Sequence, residues 1–192
     1  MISSLAKKSN IVTFLGIAFS VLGMCFCFNN MVNYAILMLI LGGICDGFDG
    51  PIARKLNKGE SNEYGIQLDS FADIICAGCL PVIICLSLGY HSWINMIVYV
   101  LFVLCGVTRL TYYNVNSTDK KYFEGVPITL STMVTPWVYF LFHNEIAFMI
   151  ALTTLAVLFV SRLKVKKPAM KIRIILSVGG VALITAIFLI IR

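Results

Sequence analysis

Charge is scarce in this chain. Of its 192 residues only nine are acidic and fifteen basic, whereas 59% are hydrophobic and the mean hydropathy is +0.92. A water-soluble domain of this length could not bury so much apolar surface within its volume. That excludes a soluble fold and predicts an integral membrane protein. Histidine is almost lacking, with two residues, and no second thiol pair or suitably spaced His accompanies Cys25-x-Cys27 or Cys76-x-x-Cys79. Zinc and dithiol redox sites are therefore excluded, and all seven cysteines (Cys25, Cys27, Cys45, Cys76, Cys79, Cys85 and Cys105), which lie inside apolar runs, are read as small packing residues. Internal repeats, low-complexity tracts and a signal-peptide cleavage pattern are also lacking, which predicts one domain with a retained N-terminal end. The net charge of +6 is strung between apolar runs instead of being gathered with stacking aromatics, so nucleic acid is excluded as a partner.

What is present is a series of apolar runs long enough to cross a bilayer. They cover residues 11–28, 31–54, 65–88, 93–113, 126–142, 146–160 and 174–191, broken by Asn29-Asn30, a polar loop over 55–64, a turn over 89–92 and a loop over 114–125. Pro81 is expected to kink the third run. A basic stretch with Lys164, Lys166, Lys167, Lys171 and Arg173 precedes the last run. Threading these spans puts the loop lysines and arginines on the side of the N-terminus and leaves Arg192 on the other. That asymmetry predicts a cytoplasmic N-terminus in a multi-pass cell-membrane protein.

Against this background four aspartates stand out. Asp46 and Asp49 close the second span, and Asp69 and Asp73 open the third. Each costs about 2.5 to 3.5 kcal/mol near the middle of a membrane helix, so four approach roughly 10 kcal/mol unless something pairs with them. Spacings of three and four put each pair on one helix face, and the short loop makes the two helices antiparallel neighbours with axes about 8 to 10 Å apart. Converging hard oxygen donors suit Mg²⁺, Mn²⁺ or Ca²⁺. Both halves of the cluster fall on the cytoplasmic side. An ion pathway through a transporter is the rival reading. It leaves Gly50, Ala53, Arg54 and Gly65 unexplained, and it would spread carboxylates across the membrane instead of crowding them at one end.

Asp46, Asp49, Gly50, Ala53, Arg54, Gly65, Asp69 and Asp73 match a signature of Asp-x-x-Asp-Gly-x-x-Ala-Arg, a gap, then Gly-x-x-x-Asp-x-x-x-Asp. In these positions the chain resembles the CDP-alcohol phosphotransferase family. The resemblance implies an all-α, polytopic helical bundle: a six-helix core over residues 1–162, a basic linker over 163–173 and an additional transmembrane helix over 174–192. It implies metal binding by Asp46, Asp49, Asp69 and Asp73, with Asp73 also, or instead, a catalytic base, and CDP or phosphate binding at Gly50, Ala53, Arg54 and Gly65. Mn²⁺ or Mg²⁺ would be the cofactor, as one ion or two, with Ca²⁺ also open. CDP-diacylglycerol and a polar alcohol would be the substrates, CMP the product, bilayer lipids the surroundings and a homodimer the assembly.

The residues Leu68-Asp-Ser-Phe-Ala-Asp73 with Gly78 and Pro81, and a second patch of Arg109-Leu110, Tyr113-Asn114 and Phe123-Glu-Gly-Val-Pro127, resemble the phosphatidylserine synthases of bacteria and archaea. L-serine is then the expected acceptor, with Arg109, Lys120 or Lys121 meeting its carboxylate. Cys76, Ala77 and Thr129 depart from that pattern, which keeps glycerol phosphate, inositol phosphate and other alcohols open as acceptors.

Overall fold

The computed structural model describes residues 10–56, 63–116, 122–161 and 164–166. Apolar helices dominate it. α1 (Asn10–Phe28) and α2 (Val32–Leu56) are followed by α3 (Glu63–Asp73), which runs through a π-helical segment (Ile74–Cys79) into α4 (Leu80–Ser87). α5 (Trp93–Asn116), α6 (Ser131–Leu141) and α7 (Glu145–Val160) complete the bundle. Among the described residues, four stretches are long and apolar enough to cross a membrane, namely Asn10–Phe28, Val32–Pro51, Tyr64–Ser87 and Trp93–Val115, and α6 and α7 are shorter apolar helices. The expected polytopic helical bundle is borne out, with four helices of spanning length and two shorter apolar helices over the fifth and sixth runs. The seventh, over 174–192, lies outside the described residues.

One stripe of α1 explains how the first two helices approach. Its buried residues are Asn10, Thr13, Gly16, Ser20, Gly23 and Cys27, all small or polar, while Ile11, Leu15, Val21 and Leu22 are exposed. This inversion fits a helix that presents large apolar groups to lipid and small groups to its neighbour. A Cβ on Gly16 would stand 3.3 Å from Cys45 Cβ, and one on Gly42 would stand 2.6 Å from Cys76 Sγ. The interface therefore brings α1, α2 and the π segment into close contact.

Local backbone chemistry closes the hairpins at the end away from the aspartates. Asn30 has φ 58°, its N–H donates to Cys27 O at 3.0 Å and the Met31 N–H to Phe26 O at 2.9 Å, which is a Schellman cap. Gly89, with φ 89°, repeats the motif through bonds from Gly89 N to Leu86 O and from Tyr90 N to Cys85 O. Both turns reverse the chain sharply, so consecutive spans run antiparallel. Asp46 then lies sixteen residues, or about 24 Å, along α2 from its turn.

Two features differ from the expectation. The third span carries a π segment that was not expected, and Pro81 follows it in the first turn of α4. Proline has no N–H to offer the carbonyl one turn back, and that carbonyl, Ala77 O, accepts a hydrogen bond from Ser131 Oγ of α6 instead. The second difference is a small antiparallel ladder, β1 (Tyr122–Glu124) with β2 (Lys164–Lys166), pairing Phe123 with Val165. It ties the start of the basic linker back to the loop before α6.

Gly125 follows β1 with φ 76°, and a Cβ there would stand 2.5 Å from Phe159 O. Both the dihedral and the neighbouring backbone demand glycine. Gly125→Ala is expected to destabilise the fold by about 1 to 3 kcal/mol, seen as a lower thermal midpoint in detergent. An unchanged midpoint would contradict the tight turn.

Candidate active site

The site forms where α2 and α3 emerge at the same end of the bundle. Asp46, Asp49 and Asp69 each offer a carboxylate oxygen, and these three atoms lie within 4.8 Å of one another. Asp49 is buried, and Asp46, Asp69 and Asp73 are half-buried. Asp73 lies outside that trio of oxygens but lines the same cleft as Asp46 and Asp49, together with Thr13, Gly16, Gly42, Cys76 and Thr132. The helical spacing therefore gathers all four aspartates of the motif at one cleft, three as a close cluster and the fourth at its side.

Three carboxylates this close repel one another strongly unless a cation or protons neutralise them. One atom bears on this: Asp69 Oδ1 is buried without a hydrogen-bond partner among the described residues, an orphan acceptor of the kind that needs an explanation. The donor set is all oxygen, and its span is comparable to the diameter of about 4 to 5 Å across an oxygen-ligated divalent ion. The residues fit such an ion.

Thr13 was not picked out from the sequence. Its Oγ1 donates to Asp49 Oδ2 at 3.0 Å, with both side chains buried. This fixes the Asp49 carboxylate from behind, as outer-shell partners of metal ligands do. Asn10 is buried one turn earlier on the same stripe. The repeat of small and polar residues through an otherwise bulky apolar helix was the available signal, since the buried face of a membrane helix is the one with small side chains.

The remaining candidates separate. Arg109 is buried on α5, its guanidinium lies 5.4 Å from the Tyr113 ring centroid, and it is electrostatically coupled to Asp73. It is not among the residues that line the aspartate cleft. A Cβ on Gly50 would meet nothing within 4 Å, so no packing contact of the described protein requires glycine there. Gly65 lies in the first turns of α3, and Ala53 and Arg54 continue α2 beyond Pro51, although the Ala53 and Arg54 side chains are outside what is described. Lys120 and Lys121 also lie outside the described residues.

Comparison with known proteins agrees with this geometry. The family model for CDP-alcohol phosphatidyltransferase matches residues 7–191. The chain belongs to the CDP-alcohol phosphatidyltransferase family. Similar proteins include an archaetidylserine synthase of Methanothermobacter thermautotrophicus, 27% identical over 85% of this chain and 71% of the relative. A CDP-diacylglycerol–serine O-phosphatidyltransferase of Bacillus subtilis is 31% identical over 69% of this chain and 75% of the relative. The protein of the same description from Saccharomyces cerevisiae is 37% identical over 50% of this chain but only 38% of its own length. Membership makes this chain a multi-pass membrane transferase of phospholipid biosynthesis, and the family is dependent on divalent metal in general.

If Thr13 holds Asp49 for an ion, Thr13→Val, which keeps shape and removes the donor, should weaken Mn²⁺ binding about 10- to 100-fold. Thr13→Ser should retain it. Electron paramagnetic resonance of Mn²⁺ titrated into the detergent-purified protein measures this without turnover, and equal affinities for the valine variant and the parent would remove Thr13 from the site.

Proposed function

We propose that the protein transfers a phosphatidyl group from CDP-diacylglycerol to the hydroxyl of L-serine, giving phosphatidylserine and CMP. The observation that carries the reading is the cluster of Asp46, Asp49 and Asp69 oxygens within 4.8 Å, in a cleft that Asp73 also lines. The printed descriptions of the Bacillus subtilis and Methanothermobacter thermautotrophicus relatives support serine as the acceptor.

In this reading Asp46, Asp49 and Asp69 hold Mn²⁺ or Mg²⁺, and Asp73 has room to help hold a second ion. A divalent ion bound there supplies positive charge to the pyrophosphate oxygens of the nucleotide lipid. Gly50, Ala53 and Gly65 leave space for the nucleotide to approach the backbone, and Arg54 meets a phosphate. Asp73 takes the proton from the serine hydroxyl, whose oxygen forms a bond to the lipid-side phosphorus. The bond from that phosphorus to the bridging oxygen breaks, and CMP departs with the oxygen. Arg109 pairs with the serine carboxylate, where its planar donor fork gives geometric selection as well as charge. Lys120 and Lys121 are further candidates for this contact.

The basic loops support a cytoplasmic N-terminus and a cytoplasmic site, where nucleotide lipid heads and serine are accessible. The acyl chains then extend between helices into the bilayer. A homodimer, and the division into a core over 1–162, a linker over 163–173 and a last helix over 174–192, complete the proposal.

The test is CMP release by the purified protein from CDP-diacylglycerol with Mn²⁺ or Mg²⁺, offered serine, glycerol 3-phosphate, inositol phosphate or no acceptor. Serine-dependent release is expected. Release with a different alcohol would reassign the acceptor, and none from folded protein would overturn the enzyme reading. Asp46→Asn, Asp49→Asn, Asp69→Asn and Asp73→Asn should each lower kcat by at least about 100-fold while the protein still inserts, and retained activity in most of them would remove the cluster from the chemistry. Arg109→Ala should raise KM for serine about tenfold or more with a smaller change for CDP-diacylglycerol. The reverse order would exclude Arg109 as the carboxylate partner.

A further inference from the structure

Ser70 follows Asp69 on α3, and its hydroxyl both donates and accepts a hydrogen bond. It donates to Ile66 O at 3.0 Å, so its lone pairs face outward, and there it accepts a hydrogen bond from Asn114 Nδ2 at 2.8 Å. Asn114 lies on α5 beside Tyr113, whose ring lies against the Arg109 guanidinium. The two helices run antiparallel and residue 114 meets residue 70, so Arg109, five residues back along α5, and Asp73, three residues on along α3, are both displaced from that contact toward the π-helical segment, by about 7.5 and 4.5 Å along the helix axes. Beyond Asp73, α5 packs on the π-helical segment. Asp73 thus sits between two points at which the third span is attached to α5, a packed one on the side of the membrane interior and a hydrogen-bonded one on the side of the loop.

We infer that the Asn114–Ser70 hydrogen bond is a positioning contact that sets the register between Asp73 and Arg109, and so the fit of the acceptor alcohol. The inference rests on the proposed function, because it takes Asp73 as the proton acceptor for that alcohol and Arg109 as the partner of its carboxylate. Both bonding residues act through these two and touch no reacting atom. Removing the bond leaves the packed attachment intact, so the helices stay together while the loop-side end of α5 gains freedom to slide or splay. A slide of one residue on a helix moves a side chain by about 1.5 Å along the axis and about 100° around it, more than a charged clamp tolerates.

The test is steady-state kinetics on the full chain with Ser70→Ala, Ser70→Thr, Asn114→Ala and the double alanine variant, together with amide hydrogen exchange over residues 64–70 and 110–116. One interhelical hydrogen bond corresponds to a change of about three- to tenfold. Each single alanine variant is expected to raise KM for serine by that factor with KM for CDP-diacylglycerol unchanged, and the double variant should be no worse than the singles. Ser70→Thr, which keeps the hydroxyl, should stay near the parent, and exchange should rise in both helical segments when either partner is removed. A lower thermal midpoint with no split between the two KM values, or alanine effects that multiply in the double variant, would overturn the inference. Should the parent protein use another alcohol, the serine reading fails and the same KM split is read with that alcohol. Should it release no CMP at all, exchange alone decides: a rise confined to both segments supports the coupling, and unchanged exchange refutes it.

Discussion

Mutual repulsion among carboxylates is the constraint on which this structure depends. Three of their oxygens lie within 4.8 Å in a cleft shared with Asp73, in a protein whose surroundings are mostly hydrocarbon. No chain gathers such groups by relaxation of its own energy; they must be held by a framework that is stable without them. That framework is the contact of α1, α2 and the π segment, where small side chains let backbones approach. Thr13 belongs to the framework and the site at once. Its hydroxyl restrains Asp49 while its place on the buried stripe is fixed by helix packing.

The same framework separates the two ends of the molecule. Away from the aspartates the turns are closed by Schellman caps at Asn30 and Gly89, and Asn95 Nδ2 donates to Glu145 Oε1 at 2.6 Å between α5 and α7. These are self-contained, satisfied contacts. At the site end an oxygen of Asp69 is left with nothing to accept. The site end also holds completed contacts, Thr13 with Asp49 and Asn114 with Ser70, so the orphan oxygen of Asp69 stands out within an otherwise bonded framework.

Much of this was legible in the sequence. Hydropathy gave the limits of the apolar spans to within a few residues, because each is broken by residues whose backbone preferences are strong, such as Asn29-Asn30 and Gly89. The aspartate spacing carried the site, since three or four residues on a helix return to one face. The π segment was not legible: Ile74-Ile-Cys-Ala-Gly-Cys79 has no composition that distinguishes it from α-helix, and its bonding is settled by Pro81 and by Ser131 of another helix. The β1–β2 ladder escaped for a related reason, as three-residue strands some forty positions apart show no alternation worth reading. Thr13 needed a tertiary contact to acquire meaning, and Ser70 and Asn114, present in the sequence as parts of two separate patterns, are joined only by the fold, whereas Lys120, Lys121 and the last apolar run lie outside the described residues.

The π segment also absorbs one residue in the third span. Its wider turn takes up one residue more than an α-helix of the same rise would hold, so the aspartates before it keep their angular phase against Leu80, Ile84 and Cys85 after it. Were the same residues wound as regular α-helix, the two halves would rotate by about 100° relative to each other. With α4 anchored in the core, Asp69 and Asp73 would then turn away from Asp46 and Asp49. The bonding of this stretch, and not its composition, sets the direction in which the carboxylate pair points.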